Sequence, residues 1–261
     1  DCLKDARPPR DLDGIAWRDA VGVQFTPPKQ QIADLDALPL PAWDLFPLNS
    51  YWSLRYAHGA LERSRYLPLL TSRGCPYPCR FCVIPETNNL RWRGRSPENV
   101  VDEMAHWRQT LGVEEFHIED VNPTINEERT RALCQQLIAR RLGVIWKIAA
   151  GTKVESIRSE ETIDLMARAG CRYISISPES GSPEVLKRIN KPFDLEHAIR
   201  LIGRMRARGI RSQCCFVLGF PGETDADRRM TWEVVHRLVK QGADEIALFI
   251  ITPVPGSAIH A

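Results

Sequence analysis

The sequence predicts an α/β fold of six parallel strand-helix units, arranged as an α/β barrel or an arc of one, with a doubly wound open sheet satisfying the same unit count. Three observations carry this reading. From Tyr66 onward, short apolar runs alternate with amphipathic stretches of helical period. Five of those stretches stop at a glycine, namely Gly112, Gly143, Gly170, Gly209 and Gly242, and glycine readily takes the left-handed turn that closes a helix. Polar, glycine-bearing segments gather just after the apolar runs, at the carboxyl ends of strands, where both architectures bind ligands.

The strands are expected at residues 66–70, 113–118, 144–149, 171–177, 210–218 and 245–251. Crossovers of helical length between them imply parallel pairing and right-handed connections. Helix starts are marked by Ser96-Pro97-Glu98, Asn126-Glu127-Glu128, Ser159-Glu160-Glu161 and Asp194. Each supplies a capping oxygen, and most add an acid near the positive helix end.

At 261 residues the chain suits one sizeable α/β domain, or one domain with an extension. A formal net charge of +2 points neither to nucleic acid nor to a basic membrane surface. No apolar run reaches the length of a membrane span and no signal peptide opens the chain. A reduced, cytoplasmic setting is expected, although the chain starts at Asp1 and its end after His260 looks cut. Residues 1–50 are proline-rich without a sustained period, and read as an extended connector with aromatic and leucine anchors for a neighbouring surface. Residues 51–261 form the core domain.

One loop organises the chain. Thr71 to Cys82 reads TSRGCPYPCRFC and places Cys75, Cys79 and Cys82 at offsets of four and three. Those offsets suit a helix face, but Gly74, Pro76 and Pro78 remove amide donors and clash with a continuing helix. The segment is therefore a loop folded back on itself. Three thiolates from one loop suit an iron-sulfur cluster better than structural zinc, which takes four protein ligands, usually in two separated pairs. A four-iron cluster held by three cysteines leaves one iron open to a chelating substrate. Cys2, Cys134, Cys171, Cys214 and Cys215 lie apart from the loop and read mainly as small hydrophobes, with the adjacent Cys214 and Cys215 on opposite faces of a strand.

The Cys-x-x-x-Cys-x-x-Cys pattern, with Phe81 just before its last cysteine, resembles the signature of the radical S-adenosylmethionine (SAM) enzymes. The resemblance implies a partial (βα)6 TIM-like barrel, a 4Fe-4S cluster on Cys75, Cys79 and Cys82, and SAM bound at the open iron and cleaved to a 5′-deoxyadenosyl radical. It runs from about Ile32 to Gly256. Cofactor contacts are implied at Phe81, at Glu119 and Asp120 for the SAM ammonium, and at Lys153 for its carboxylate. Glu179 and Ser180, in the Glu-Ser-Gly-Ser stretch, match the ribose or methionine end, and Gly219 and Pro221 the adenosine. Val121 stands where the family has a second acid, and Lys153 where it more often has arginine. No catalytic residue beyond the cluster ligands is marked, and Ser182 is read as a helix cap.

Within the family, the connector and strand-end motifs look most like the cobalamin-dependent branch, whose members methylate or cyclise their substrates. The Asp-x-His-x-x-Gly run of its cobalamin domains is absent, so that domain is expected before residue 1, joined through the connector, and cobalamin only with it. The expected partners are a small-molecule substrate and a flavodoxin- or ferredoxin-type reductant. Two other readings stay open: an electron-transfer or redox-sensing iron-sulfur protein, and a methylthiotransferase, whose relatives add a second cluster domain and an RNA-binding domain.

Overall fold

The computed structural model describes residues 9–260, so Cys2 lies outside the described part. The chain divides at Ala33/Asp34 into two compact units. In the first, β1 (Ala16–Arg18) and β2 (Val23–Phe25) form an antiparallel hairpin. Asp19 holds its turn by accepting from the amides of Val21 and Gly22. Strands of three residues leave no alternation to detect, and the hairpin was not expected from the sequence.

The second unit opens with α1 (Leu48–Ser53), β3 (Tyr66–Leu69) and β4 (Ser72–Arg73), followed by α2 (Ile84–Asn88) and β5 (Arg93–Gly94). Then come α3 (Pro97–Leu111), β6 (Glu115–Ile118), α4 (Glu127–Arg140), β7 (Ile145–Thr152), α5 (Glu160–Arg168) and β8 (Cys171–Glu179). The series ends with α6 (Pro183–Arg188), α7 (Leu195–Ala207), β9 (Arg211–Leu218), α8 (Asp225–Gln241) and β10 (Glu245–Ile250). β3, β6, β7, β8, β9 and β10 make one six-stranded sheet in which each strand pairs in parallel with the next. A doubly wound sheet would reverse its strand order. This one does not, and β3 and β10 remain its two edges, so the unit is an arc of a barrel.

The expected caps form. Ser96, Asn126, Ser159 and Asp194 each accept from the amide three residues on. Gly112 and Gly242 close α3 and α8 at φ of 66° and 111°. Arg141, not Gly143, takes the left-handed cap of α4.

Alternation along the strands separates two chemistries. The outer face, with Leu67, Phe116, Trp146, Ile148, Ile174, Ile176 and Phe216, buries against the helices in one hydrophobic cluster. Cys134, Cys171 and Cys214 are buried in that cluster, and burial pushes the Cys134 and Cys214 thiols up to about 12. The edge strand β3 is protected on its free side. Pro68 has no amide to offer there, Trp52 Nε1 donates to Tyr66 O (2.8 Å), and an Arg95 amino group donates to Leu70 O (2.8 Å).

The second unit reaches further back than residue 51. Leu35 is buried, Asp36 accepts from the Ser96 amide (2.9 Å), and Trp43, Leu48 and Trp52 pack against the core. These anchors are irregularly spaced, which is why the segment shows no period.

The inner face carries charge. Glu115 is within 2.9 Å of His117 Nε2 and 3.1 Å of Lys147 Nζ, and its other oxygen accepts from the amides of Glu62 and Arg63. Lys147 also donates to Ala60 O (3.0 Å), and Tyr66 stacks on His117. The chain from Ala60 to Arg63 is thereby pinned to β6 and β7. Burial alone would raise the Glu115 carboxyl, but the His117 bond, the two amides and Lys147 together hold it at about 2, below its ordinary 4.5.

Because the folded value is the lower one, this stabilisation is complete above about 4.5 and is lost as pH falls toward about 2. Glu115→Gln would leave Lys147 as an uncompensated buried cation and should lower the unfolding free energy by about 3–5 kcal/mol. In urea titrations the variant should also lose part of the wild type's destabilisation between those two pH values. A variant as stable as wild type at neutral pH would contradict the assignment.

Candidate active site

The cysteine loop springs from the carboxyl end of β3, and a buried acid holds its root. Asp120 is fully buried, and its oxygens accept from Thr71 N (2.7 Å), Thr71 Oγ1 (2.6 Å) and Ser72 Oγ (2.5 Å). Burial pushes this carboxyl up, against those three bonds and the Arg129 charge. Arg129 itself donates to Thr71 O (2.7 Å) and Arg95 O (2.6 Å). Antiparallel pairing of β4 with β5 then closes the base of the loop. Gly74 has φ of +85°, and a Cβ there would lie 2.1 Å from Arg91 O, so no other residue fits.

The three thiols are half-buried, and all seven described cysteines are free. Burial raises the Cys75 thiol, and the nearby Cys82 adds to the rise, while the Tyr77 amide, Asn122 and Lys191 oppose it. Burial pushes Cys79 up to about 11, against Lys191 and with help from Cys75 and Cys82. The Ile84 amide donates to Cys82 Sγ at 3.4 Å. Among the described residues no three histidines, cysteines or acids converge closely enough to hold a single metal ion. Three mutually influencing thiols with amide donors to sulfur fit a larger inorganic group bound through thiolates, whose binding would displace their protons.

Around the loop the strand ends supply a second layer. Glu179, at the end of β8, sits at φ of 66°, a left-handed conformation unusual for a residue with a side chain. Its carboxylate is ion-paired with Lys191. The Lys191 ammonium lies 5.9 Å from the centre of the Phe81 ring, and Phe81 meets Phe220 edge-on at 5.6 Å. Lys153 donates to Glu155 and to Pro192 O (2.9 Å), with its ammonium 5.4 Å from the Tyr77 ring centre. The Gly219 amide donates to Glu223 (2.6 Å), and Pro221 O accepts from Arg188 (2.8 Å).

Phe81, Lys153 and Glu179 thus lie at the thiol loop, and the segment that holds Gly219 and Pro221 meets it through Phe220. The other three do not join them. Asp120 is engaged at the loop root. Glu119 lines an apolar pocket of about 400 Å³ with Leu35, Trp43, Leu70 and Arg95, and burial pushes its carboxyl up. Ser180 is fully buried, within 3.1 Å of Thr231 Oγ1 and accepting from the Ser182 amide. Ser182 accepts from the Val185 amide, the cap role expected of it.

Lys191, Tyr77 and Asn122 were missed from the sequence. Lys191 had one faint signal, a lone cation between the apolar Ile189 and Phe193.

A model of the radical SAM superfamily matches residues 69–248. The chain is 30% identical to the cytidylyl-2-hydroxyethylphosphonate methyltransferase of Streptomyces wedmorensis, over 95% of this chain and 51% of that protein. It is 30% identical to the anaerobic magnesium-protoporphyrin IX monomethyl ester cyclase of Rubrivivax gelatinosus, over 86% of this chain and 39% of that one. The chain thus spans about half or less of the length of these relatives. Among solved structures it resembles the radical S-adenosylmethionine methyltransferase TsrM of Kitasatospora setae, with cobalamin and a [4Fe-4S] cluster bound. The TM-score is 0.76 and the identity 22%, over 99% of this chain and 50% of that one. That likeness shows the fold, a partial barrel.

The bonding of Asp120 yields a prediction. Asp120→Ala strands the Thr71 amide and two hydroxyls in a buried site and should lower stability by about 1–3 kcal/mol in chemical denaturation. A residue whose role was only to contact a ligand would leave the stability of the ligand-free protein unchanged.

Proposed function

The chain belongs to the radical SAM superfamily, and from that premise we propose that Cys75, Cys79 and Cys82 hold a 4Fe-4S cluster whose open iron binds S-adenosylmethionine. The observation that carries this reading is the set of three half-buried thiols on one pinned loop, beside the Glu179–Lys191 pair. Held by these thiols and reduced, such a cluster would supply the electron for reductive cleavage of a carbon–sulfur bond of SAM. The protein's own part is to position. Glu179 offers a carboxylate to the SAM ammonium, Lys153 a cation to the SAM carboxylate, and Phe81 an aromatic wall. Gly219 and Pro221 give the adenosine a close approach to backbone. Asp120 serves by fixing the loop, and Ser180 by fixing the turn after Glu179.

An electron-carrier role finds little support in the other described cysteines. Cys134, Cys171 and Cys214 are buried in the hydrophobic cluster, and Cys215, half-buried on β9, is engaged with Ser175 Oγ (3.5 Å) and donates to Gln213 Oε1 (3.3 Å). Free thiols throughout the described chain suit a reducing, cytoplasmic setting.

The complete protein, on this reading, methylates or cyclises a small molecule with the help of cobalamin carried on a further domain. Support comes from the proline-rich connector, from coverage of only about half of the methyltransferase relative, and from a structural neighbour solved with cobalamin.

Anaerobic reconstitution should give four irons and four sulfides per chain, and the reduced protein should convert SAM to 5′-deoxyadenosine. The triple variant Cys75→Ala/Cys79→Ala/Cys82→Ala should lose both properties, whereas Cys134→Ala should keep them. A full iron complement in the triple variant would overturn the ligand assignment.

A further inference from the structure

The stretch that runs from the thiol loop through β5 is far more basic than the chain as a whole. Between residues 73 and 95 lie five arginines and one acid, Glu86, while the whole chain sums to +2. Arg95 is turned inward and pairs with the buried Glu103. Arg73 and Arg93 stand directly opposite each other across β4 and β5, a placement in which like charges oppose pairing.

Arg80 lies within the cysteine motif, between Cys79 and Cys82, and is exposed. With Lys187 and Arg188 at the end of α6 it rims a shallow surface depression that also takes in Glu184 and Asn190. Arg188 is committed to Pro221 O. Arg80 and Lys187 make no ion pair with any acid among the described residues. The ground beneath them is firm, because the Arg80 amide donates to Ile189 O (2.9 Å) and Asn190 Nδ2 donates to Pro78 O (3.2 Å). Two cations outside any ion pair, with Glu184 in the same depression, therefore stand on a fixed platform that includes the backbone around Cys79.

A group that must be reduced before it reacts needs a route for an electron from outside. Fixed positive charge at the point of entry speeds the approach of a negative partner and orients it. Resting on the cluster assignment above, we infer that the Arg80–Lys187 face docks the electron donor, a small acidic protein carrying a one-electron redox group, against the Cys79–Arg80 turn. In the step one electron leaves the donor, which is oxidised by one unit, and the cluster is reduced by one. No covalent bond forms or breaks and no proton need move.

The test uses the cluster-loaded chain, with reduced flavodoxin as the acidic donor and photoreduced deazariboflavin as an uncharged one, followed by anaerobic stopped-flow. Arg80→Glu/Lys187→Glu should slow reduction by flavodoxin at low salt by about tenfold or more, and raised salt should slow the wild type toward it. Reduction by deazariboflavin and the iron content should not change. Lys187→Glu alone, on the exposed side of α6, should give a smaller loss and guards against a loop that fails to form. Arg229→Glu on α8 should have no effect. The inference is overturned if flavodoxin reduces the double variant at the wild-type rate, or if Arg229→Glu slows it equally. A wild-type chain that holds no cluster would instead overturn the assignment beneath it, and the docking face with it.

Discussion

The arrangement at the carboxyl ends of the strands hangs on the carboxylate of Asp120. It sits at the end of the second strand of the sheet and grips the first residues beyond the first strand, Thr71 and Ser72, through three hydrogen bonds. Arg129, from the helix that follows, takes the carbonyl of the same Thr71 and lies near enough to stabilise the acid's charge. Two adjacent strands and a helix thus converge on one point of chain. Four residues later the first thiol appears. Without that anchor the root of the loop would keep only a two-residue ribbon and Gly74, its far side being tied by the Arg80 amide to Ile189 O and by Asn190 to Pro78 O, and ordering three thiols would cost more conformational entropy.

The sheet joins two environments that serve different ends. Its outer face is apolar and supplies the burial that holds the arc together, so the inner face is free to carry charge. There Glu115, His117 and Lys147 neutralise one another near the amino ends, while Glu179 and Lys191 do so near the thiols. An ion pair already formed at the site is chemically matched to a ligand whose own ends are an ammonium and a carboxylate.

Much of this was legible in the sequence, because strand period, helix caps and helix-ending glycines are local signals. The structure places each of the six strands of the main sheet within about three residues of its expected bounds. Strand order is not a local signal, and only the structure removes the doubly wound alternative. Leu35, Asp36 and Trp43 belong with the core because of surfaces distant in sequence, which a connector reading of residues 1–50 had no means to detect. The thiol loop was legible from its prolines and spacing. Asp120 was not legible in its actual bonding, since an acid after a strand looks alike whether it faces a ligand or ties down a neighbouring loop. Lys191 lies twelve residues beyond Glu179, past a short helix, and only the fold brings the two together.

The most direct measurement is Mössbauer spectroscopy of the chain reconstituted with isotopically enriched iron, recorded before and after SAM is added. If three cysteines hold the cluster and its remaining iron is open, addition of SAM should shift the spectrum of one iron in four toward higher coordination and leave the other three unchanged. Four irons whose spectra are the same with and without SAM would show that no iron is open to it, and would contradict the account.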